Sequence, residues 1–352
     1  MTSPRILTAL ATSAVLLTGG GLTPAPVLAQ TVTGDIDHVP VRDRTLGVLE
    51  RQFGAFRTAT TALIEAATGY CAGEIERDAT LDAFADAWRA WAPLEPYQFG
   101  PIEQQAASLT VAFWPDKKDF VGRGLEALLA LPADSLADPA TIAQGSAAAQ
   151  GLPAIERLMF SEMSECPAVV GISAHLDGVA AALYEGWFGP DGWAEIVRSA
   201  GPDNPVYRSD AEFTKALYTA IDFVLERIAD ARLGRPLGTF DAPQPSQAEA
   251  WRSGLSLDII DAQLAGLADL LENGFAGAVF NPARVWVLGV IDDTRARVAD
   301  IGAPLDVAVA DPVTRFRVEG LQTKVRYLKL QFDEEIGPGL GVETGFSPSD
   351  GD

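Results

Sequence analysis

The sequence predicts an all-α protein of two packed helical-bundle domains, and three observations carry that prediction. Apolar residues recur at three- and four-residue spacings through most of the chain, the signature of amphipathic helices. No stretch sustains the period-two alternation of a half-buried strand. Prolines such as Pro93, Pro96, Pro167, Pro282 and Pro312 fall at the ends or starts of the periodic segments rather than in their middles, where they would break a helix. Beyond the first 29 residues, roughly 320 remain, more than one core usually serves, which favours two bundles. The Pro/Gly-rich passage at 189–206 divides them, giving an N-terminal bundle over 36–195 and a C-terminal bundle over 200–352.

Each element follows from its spacing. From Val41 to Ala72 the residues Leu46, Leu49, Phe53, Phe56, Leu63 and Ile64 mark a long helix, and Leu81, Phe84, Trp88 and Trp91 mark a second that Pro93 and Pro96 end. Glu95 to Glu103 is an irregular aromatic loop, and Phe113-Trp114-Pro115-Asp116 breaks structure again before a helix over 117–131. A small-residue helix over 141–149 leads to Gly151-Leu152-Pro153-Ala154-Ile155-Glu156-Arg157-Leu158-Met159-Phe160. That stretch has the grammar of a helix start, since Pro153 has its φ preset and lacks an N–H that the first turn would leave unpaired. Pro167 opens the next helix, Ser209 caps one bearing Phe213, Leu217, Ile221, Val224 and Ile228, and Gly234 stops it. Ser246-Gln247-Ala248-Glu249 has the pattern of a capping box launching a helix with Trp251, Leu255, Ile259 and Leu270. Asn281-Pro282 and Asp311-Pro312 start the last two long helices, the final one with Phe316, Leu321, Val325, Leu328 and Phe332 inward.

The first 29 residues read as a secretory signal: Arg5, an apolar run from Ile6 to Leu17 too short to span a bilayer, and a small residue, Ala29, at the cleavage point. The expected location is therefore periplasmic. No later stretch is expected to span a membrane. The formal charge is −22, and a surface this acidic repels phosphate backbones, so nucleic-acid partners are disfavoured. Cys71 and Cys166 are the two cysteines, and an even number in an exported chain permits one disulfide between them. Two histidines, His38 and His175, make a poor zinc inventory, and there is no His-Glu-x-x-His motif.

Four pieces in order along the chain carry a family likeness: Trp88-Arg89 with Phe99-Gly100-Pro101, Trp114-Pro115, the Gly151 stretch, and Gly345-Phe346-Ser347 with Asp350-Gly351-Asp352. Together they make the chain resemble the imelysin-like family of bacterial exported proteins, whose hallmark is Gly-x-His-x-x-Glu at a helix start. Gly151 and Glu156 match that hallmark, and Pro153 stands where the histidine would be. Histidine and glutamate three apart share a helical face and can grip a metal together, whereas proline can neither bind a metal nor move a proton.

The resemblance implies a binding site at Glu156, with Gly151, Arg89, Glu95, Glu103 and Trp114 around it. Glu156 and Glu95 are the candidate ligands of a hard cation such as iron or calcium, with Glu103 nominated to join them. Arg89 has a competing role as the ion-pair partner of Glu156. The function implied is ligand binding without covalent chemistry, connected with iron or other metal uptake. The partner is a small ligand or metal ion, with another envelope protein as a further candidate. The alternatives are a metallopeptidase of the imelysin type, against which the missing histidine counts, and a protein-interaction module.

Overall fold

The computed structural model describes residues 36–160 and 165–342. The expected signal at 1–29 and the Gly345 to Asp352 motif lie outside the described residues. Nine helices of eight or more residues carry the described fold: α1 His38–Ala72, α2 Arg77–Trp91, α3 Phe120–Leu129, α4 Leu152–Met159, α5 Cys166–Phe188, α6 Asp210–Glu226, α7 Ser256–Asp269, α8 Asn281–Ala299 and α9 Pro312–Gln331. Among the described residues there is no sheet, only the isolated bridges Thr239–Ala242 and Ala276–Val279. The all-α expectation holds.

α1 is the spine. Its N-terminus is capped by Asp37, whose carboxylate accepts a hydrogen bond from Val39 N at 3.1 Å, and Gly73 ends it in the left-handed conformation at φ 76°. One side of α1 lies along α5 and α2; the other meets α6 and the wide-turn segment Leu270–Gly274 that continues α7. The buried residues Leu46, Leu49, Phe53, Phe56 and Leu63 face these neighbours, while Glu50, Arg51, Arg57 and Glu65 stay exposed. Phe53 packs on Trp187 with ring centroids 5.5 Å apart, and Phe56 on Trp91 at 5.3 Å. α1 belongs to the expected N-terminal bundle, and it also packs against α6 of the expected C-terminal one.

The disulfide forms as expected: Cys71, at the end of α1, is bonded to Cys166, the first residue of α5, with Cα atoms 5.5 Å apart. By length and composition alone, Cys166–Arg198, which begins with α5, passes for a membrane span. Its apolarity has a folded-state cause: Ala168, Val169, Ile172, Leu176, Ala180, Leu183 and Trp187 are buried, and the helix packs against α1.

Two expectations are corrected. Phe316 points to solvent at 75% exposure, because the inward stripe of α9 is Val318, Leu321, Val325 and Leu328, and a residue two before Val318 falls on the opposite side of the helix. Ser246 to Glu249 does not cap a helix. A short 3₁₀ turn occupies Pro245–Gln247, Ala250 and Gly254 have positive φ of 51° and 74°, and α7 begins only at Ser256. The turn that replaces the expected helix becomes one wall of the site.

Candidate functional site

α4 enters its place through a backbone contact. Leu152 N donates to Val111 O at 2.8 Å, and a Cβ on Gly151 would stand 2.1 Å from Thr110 O and 2.3 Å from Val111 O. The requirement for glycine is therefore close approach of two backbones; its φ of −136° is open to any residue. This seating presents Pro153, Glu156 and Arg157 to a cavity of about 240 Å³. Trp88, Trp114 and the carboxylates of Asp116 and Asp119 line it from the same half of the chain, and Ser246 to Arg252 close it from the other.

Glu156 is 3% exposed, and its Oε1 accepts hydrogen bonds from Ser253 N at 2.9 Å and Ser253 Oγ at 2.8 Å. Burial pushes its carboxyl up from the ordinary range, and the two Ser253 hydrogen bonds and the Arg252 charge pull it back in part. The partner of Glu156 is thus Ser253, and the expected pairing with Arg89 is corrected. Arg89 reaches instead to Asp258 and to Asp86, the latter at 2.9 Å, and lies on a neighbouring groove with Asp258. Geometry explains the difference, since Arg89 lies on the half-exposed side of α2 while Trp88 faces inward.

Glu95 is buried behind the cavity wall. Its carboxylate pairs with Arg232, meets Arg227 Nε at 2.8 Å and accepts from Gln263 Nε2 at 2.9 Å. Burial pushes Glu95 up, but Arg232 and then Arg227 outweigh it and hold the carboxyl below its usual range. Arg232, 2% exposed, also meets Glu249, with Nη2 and Oε2 2.7 Å apart but out of hydrogen-bond alignment. Glu249 lines the cavity and is pushed up to about 7, by burial first, with Arg232 opposing and Glu95 adding. Trp114 forms the partition: the guanidinium carbons of Arg227, Arg232 and Arg235 stand 5.1, 5.4 and 5.8 Å from its ring centroid, and Arg227 donates to its carbonyl at 3.0 Å.

The structure therefore brings Glu156, Trp114 and the helix opened by Gly151 to one cavity. It places Glu95 one layer behind, and sets Arg89 and the exposed Glu103 elsewhere. Glu156 and Glu95 do not form the expected cation site, because Glu95 is already met by two guanidinium groups and Pro153 offers no ligand. Among the described residues no group of three or more His, Cys, Asp or Glu side chains is placed to hold a metal ion. A zinc-activated water, which needs about three protein ligands, does not fit these residues. Sequence reasoning missed Glu249, Ser253 and Arg252. The Ala250-Trp251-Arg252-Ser253-Gly254 run, with glycine at its end, was the one available hint of a turn.

The family model described as Imelysin matches residues 50–332. The crystal structure of an imelysin-like protein from Psychrobacter arcticum superposes with a TM-score of 0.72 at 20% identity, covering 89% of this chain and 99% of that one. That of a "putative iron-regulated protein A precursor" from Parabacteroides distasonis gives 0.65 at 15% identity, covering 85% of this chain and 96% of that one. No curated protein matches the sequence. At these identities the two structures speak for the fold, and the family match, which spans most of the chain, speaks for membership: this protein belongs to the imelysin family.

Proposed function

We propose that this chain is an exported, periplasmic binding protein of the imelysin family that holds a small polar ligand in the α4 cavity without covalent chemistry, in connection with iron or other metal uptake. The observation that carries the reading is the position of the family glutamate. Glu156 is buried at a cavity, oriented by two Ser253 hydrogen bonds, while the neighbouring motif position on the same cavity is Pro153. A carboxylate oriented by Ser253, whose motif neighbour Pro153 can neither bind a metal nor move a proton, suits recognition better than catalysis. The uptake connection draws on the iron-regulated name of one structural relative. Isothermal titration against iron, calcium and small organic acids tests the binding part. The expected result is a saturable ligand whose affinity changes in Glu156→Gln, falling at least about tenfold for a cation and rising for an anion, as removal of the carboxylate charge implies. Chelator-sensitive peptide cleavage abolished by the same change would establish the peptidase alternative instead.

A further inference from the structure

The carboxylates of the cavity are each met by a donor of the protein itself. Asp116 accepts from Phe120 N at 2.7 Å and Val121 N at 2.9 Å, at the start of α3. Asp119 pairs with Arg157, Glu156 with Ser253, and Glu249 lies beside Arg232. Arg252 differs. It lines the same cavity, half-buried, with its guanidinium carbon 4.5 Å above the Trp251 ring centroid, and among the described residues its guanidinium makes no hydrogen bond or ion pair. Stacking occupies the face of the group and leaves its N–H edge free. Burial, and then the like charge of Arg157, lower its pKa, so the cavity holds two neighbouring cations whose repulsion is not fully relieved.

We propose that the cavity is an oxyanion site, in which the free N–H edge of Arg252, with Arg157 beside it, takes a small carboxylate or phosphate. This rests on the binding reading above and names its ligand class. A guanidinium edge matches both anions bidentately, and the flat seat on Trp251 fixes its direction before the ligand arrives. The acidic neighbours shape the binding rather than forbid it. Facing the ligand are Asp116 and Asp119 from the turn before α3, Glu156 and Arg157 from α4, and Glu249 and Arg252 from the turn before α7, with Arg232 behind Glu249. Burial raises both Glu156 and Glu249, and Glu249, pushed up to about 7, takes up a proton as pH falls through neutrality and becomes a donor to an anion instead of repelling it. Affinity therefore increases from pH 8 to pH 6.

The test is calorimetric titration of the mature chain with citrate, acetate and inorganic phosphate, in parallel with calcium and ferric ions, on the unaltered protein and on Arg252→Gln, Arg252→Lys and Glu156→Gln. Expected are saturable binding of at least one oxyanion, stronger at the lower pH, a loss of tenfold or more in Arg252→Gln, and partial retention in Arg252→Lys. Preference for citrate and acetate over phosphate identifies a carboxylate ligand, and the reverse a phosphate. Oxyanion binding unchanged in Arg252→Gln overturns the assignment. Binding of a cation but of no oxyanion, weakened by Glu156→Gln, overturns the oxyanion inference and leaves the binding function standing. Binding of nothing in either series sinks both.

Discussion

At the scale of single residues the buried Glu95–Arg232–Glu249 arrangement sets the behaviour with pH. Two carboxylates share one guanidinium, and Arg227 pairs directly with Glu95 while acting on Glu249 only through its charge, so Glu249 is the member left short of compensation. Its carboxyl, pushed up to about 7, keeps a proton that the unfolded chain releases near 4.5. The stability this contributes is complete below the unfolded value and is lost as pH rises through the folded one. Glu95, held low, has the opposite sign: its contribution is present above the ordinary carboxylate range and lost as pH falls. In urea denaturation the unaltered protein should lose stability between pH 5 and pH 8, by up to ~3 kcal/mol at about 1.4 kcal/mol per pKa unit. Glu249→Gln should flatten that decline, and an equally steep curve in the variant would place the titration elsewhere. None of this was legible in the sequence. A glutamate three residues after a serine is a capping signal, and a guanidinium 17 positions back cannot be inferred as its partner from spacing.

The helices themselves were largely readable, because their apolar stripes obey a local rule. α1 and α5 match their expected spans closely, and α6 starts after Ser209 as expected, but Gly234 does not stop it, since helical backbone continues through Arg227–Leu233 and Gly234–Leu237. The failures are at turns, where long-range contacts decide. The turn before α7 is held by contacts to α4: Ser253 bonds to Glu156, 97 positions away. Gly151 is a related case. Its place at a helix start was evident, but the reason for glycine is the backbone of Thr110 and Val111 lying against it. Gly151→Ala should destabilise the fold by about 3 kcal/mol or more, since backbone oxygens at 2.1 and 2.3 Å cannot turn away as a side chain can. Urea midpoints measure it, and a loss under about 1 kcal/mol would show that α4 shifts without strain.

For the whole molecule the spine helix and the disulfide act together. α1 touches elements from both halves of the sequence, so the core residues of α2, α5 and α6 share one support, while the bridge ties the end of α1 to the start of α5. A cross-link spanning 95 positions should contribute about 4–5 kcal/mol in the chain-entropy model. Replacing both cysteines by alanine should lower the melting temperature by several degrees, with the helical circular-dichroism signal retained at 25 °C. A melting temperature unchanged by the replacement would mean that the packing alone carries the stability. The bridge was readable because only one pairing of two cysteines exists; the sharing of α1 was not, because periodicity marks which face of a helix is buried without saying by what.

The same bridge has a topological consequence for the cavity. Trp88, Trp114, Asp116, Asp119, Pro153 and Glu156 all lie inside the covalent ring from Cys71 to Cys166, whereas Ser246 to Arg252 lie outside it. A backbone cut within the ring leaves every residue of the cavity on one covalent molecule. A cut in the exposed turn around Pro202 and Asp203 instead gives two polypeptides, each owning one wall, and the pocket then exists only where the two pieces reassociate. The cavity is in that sense a seam between a cyclised fragment and a linear one.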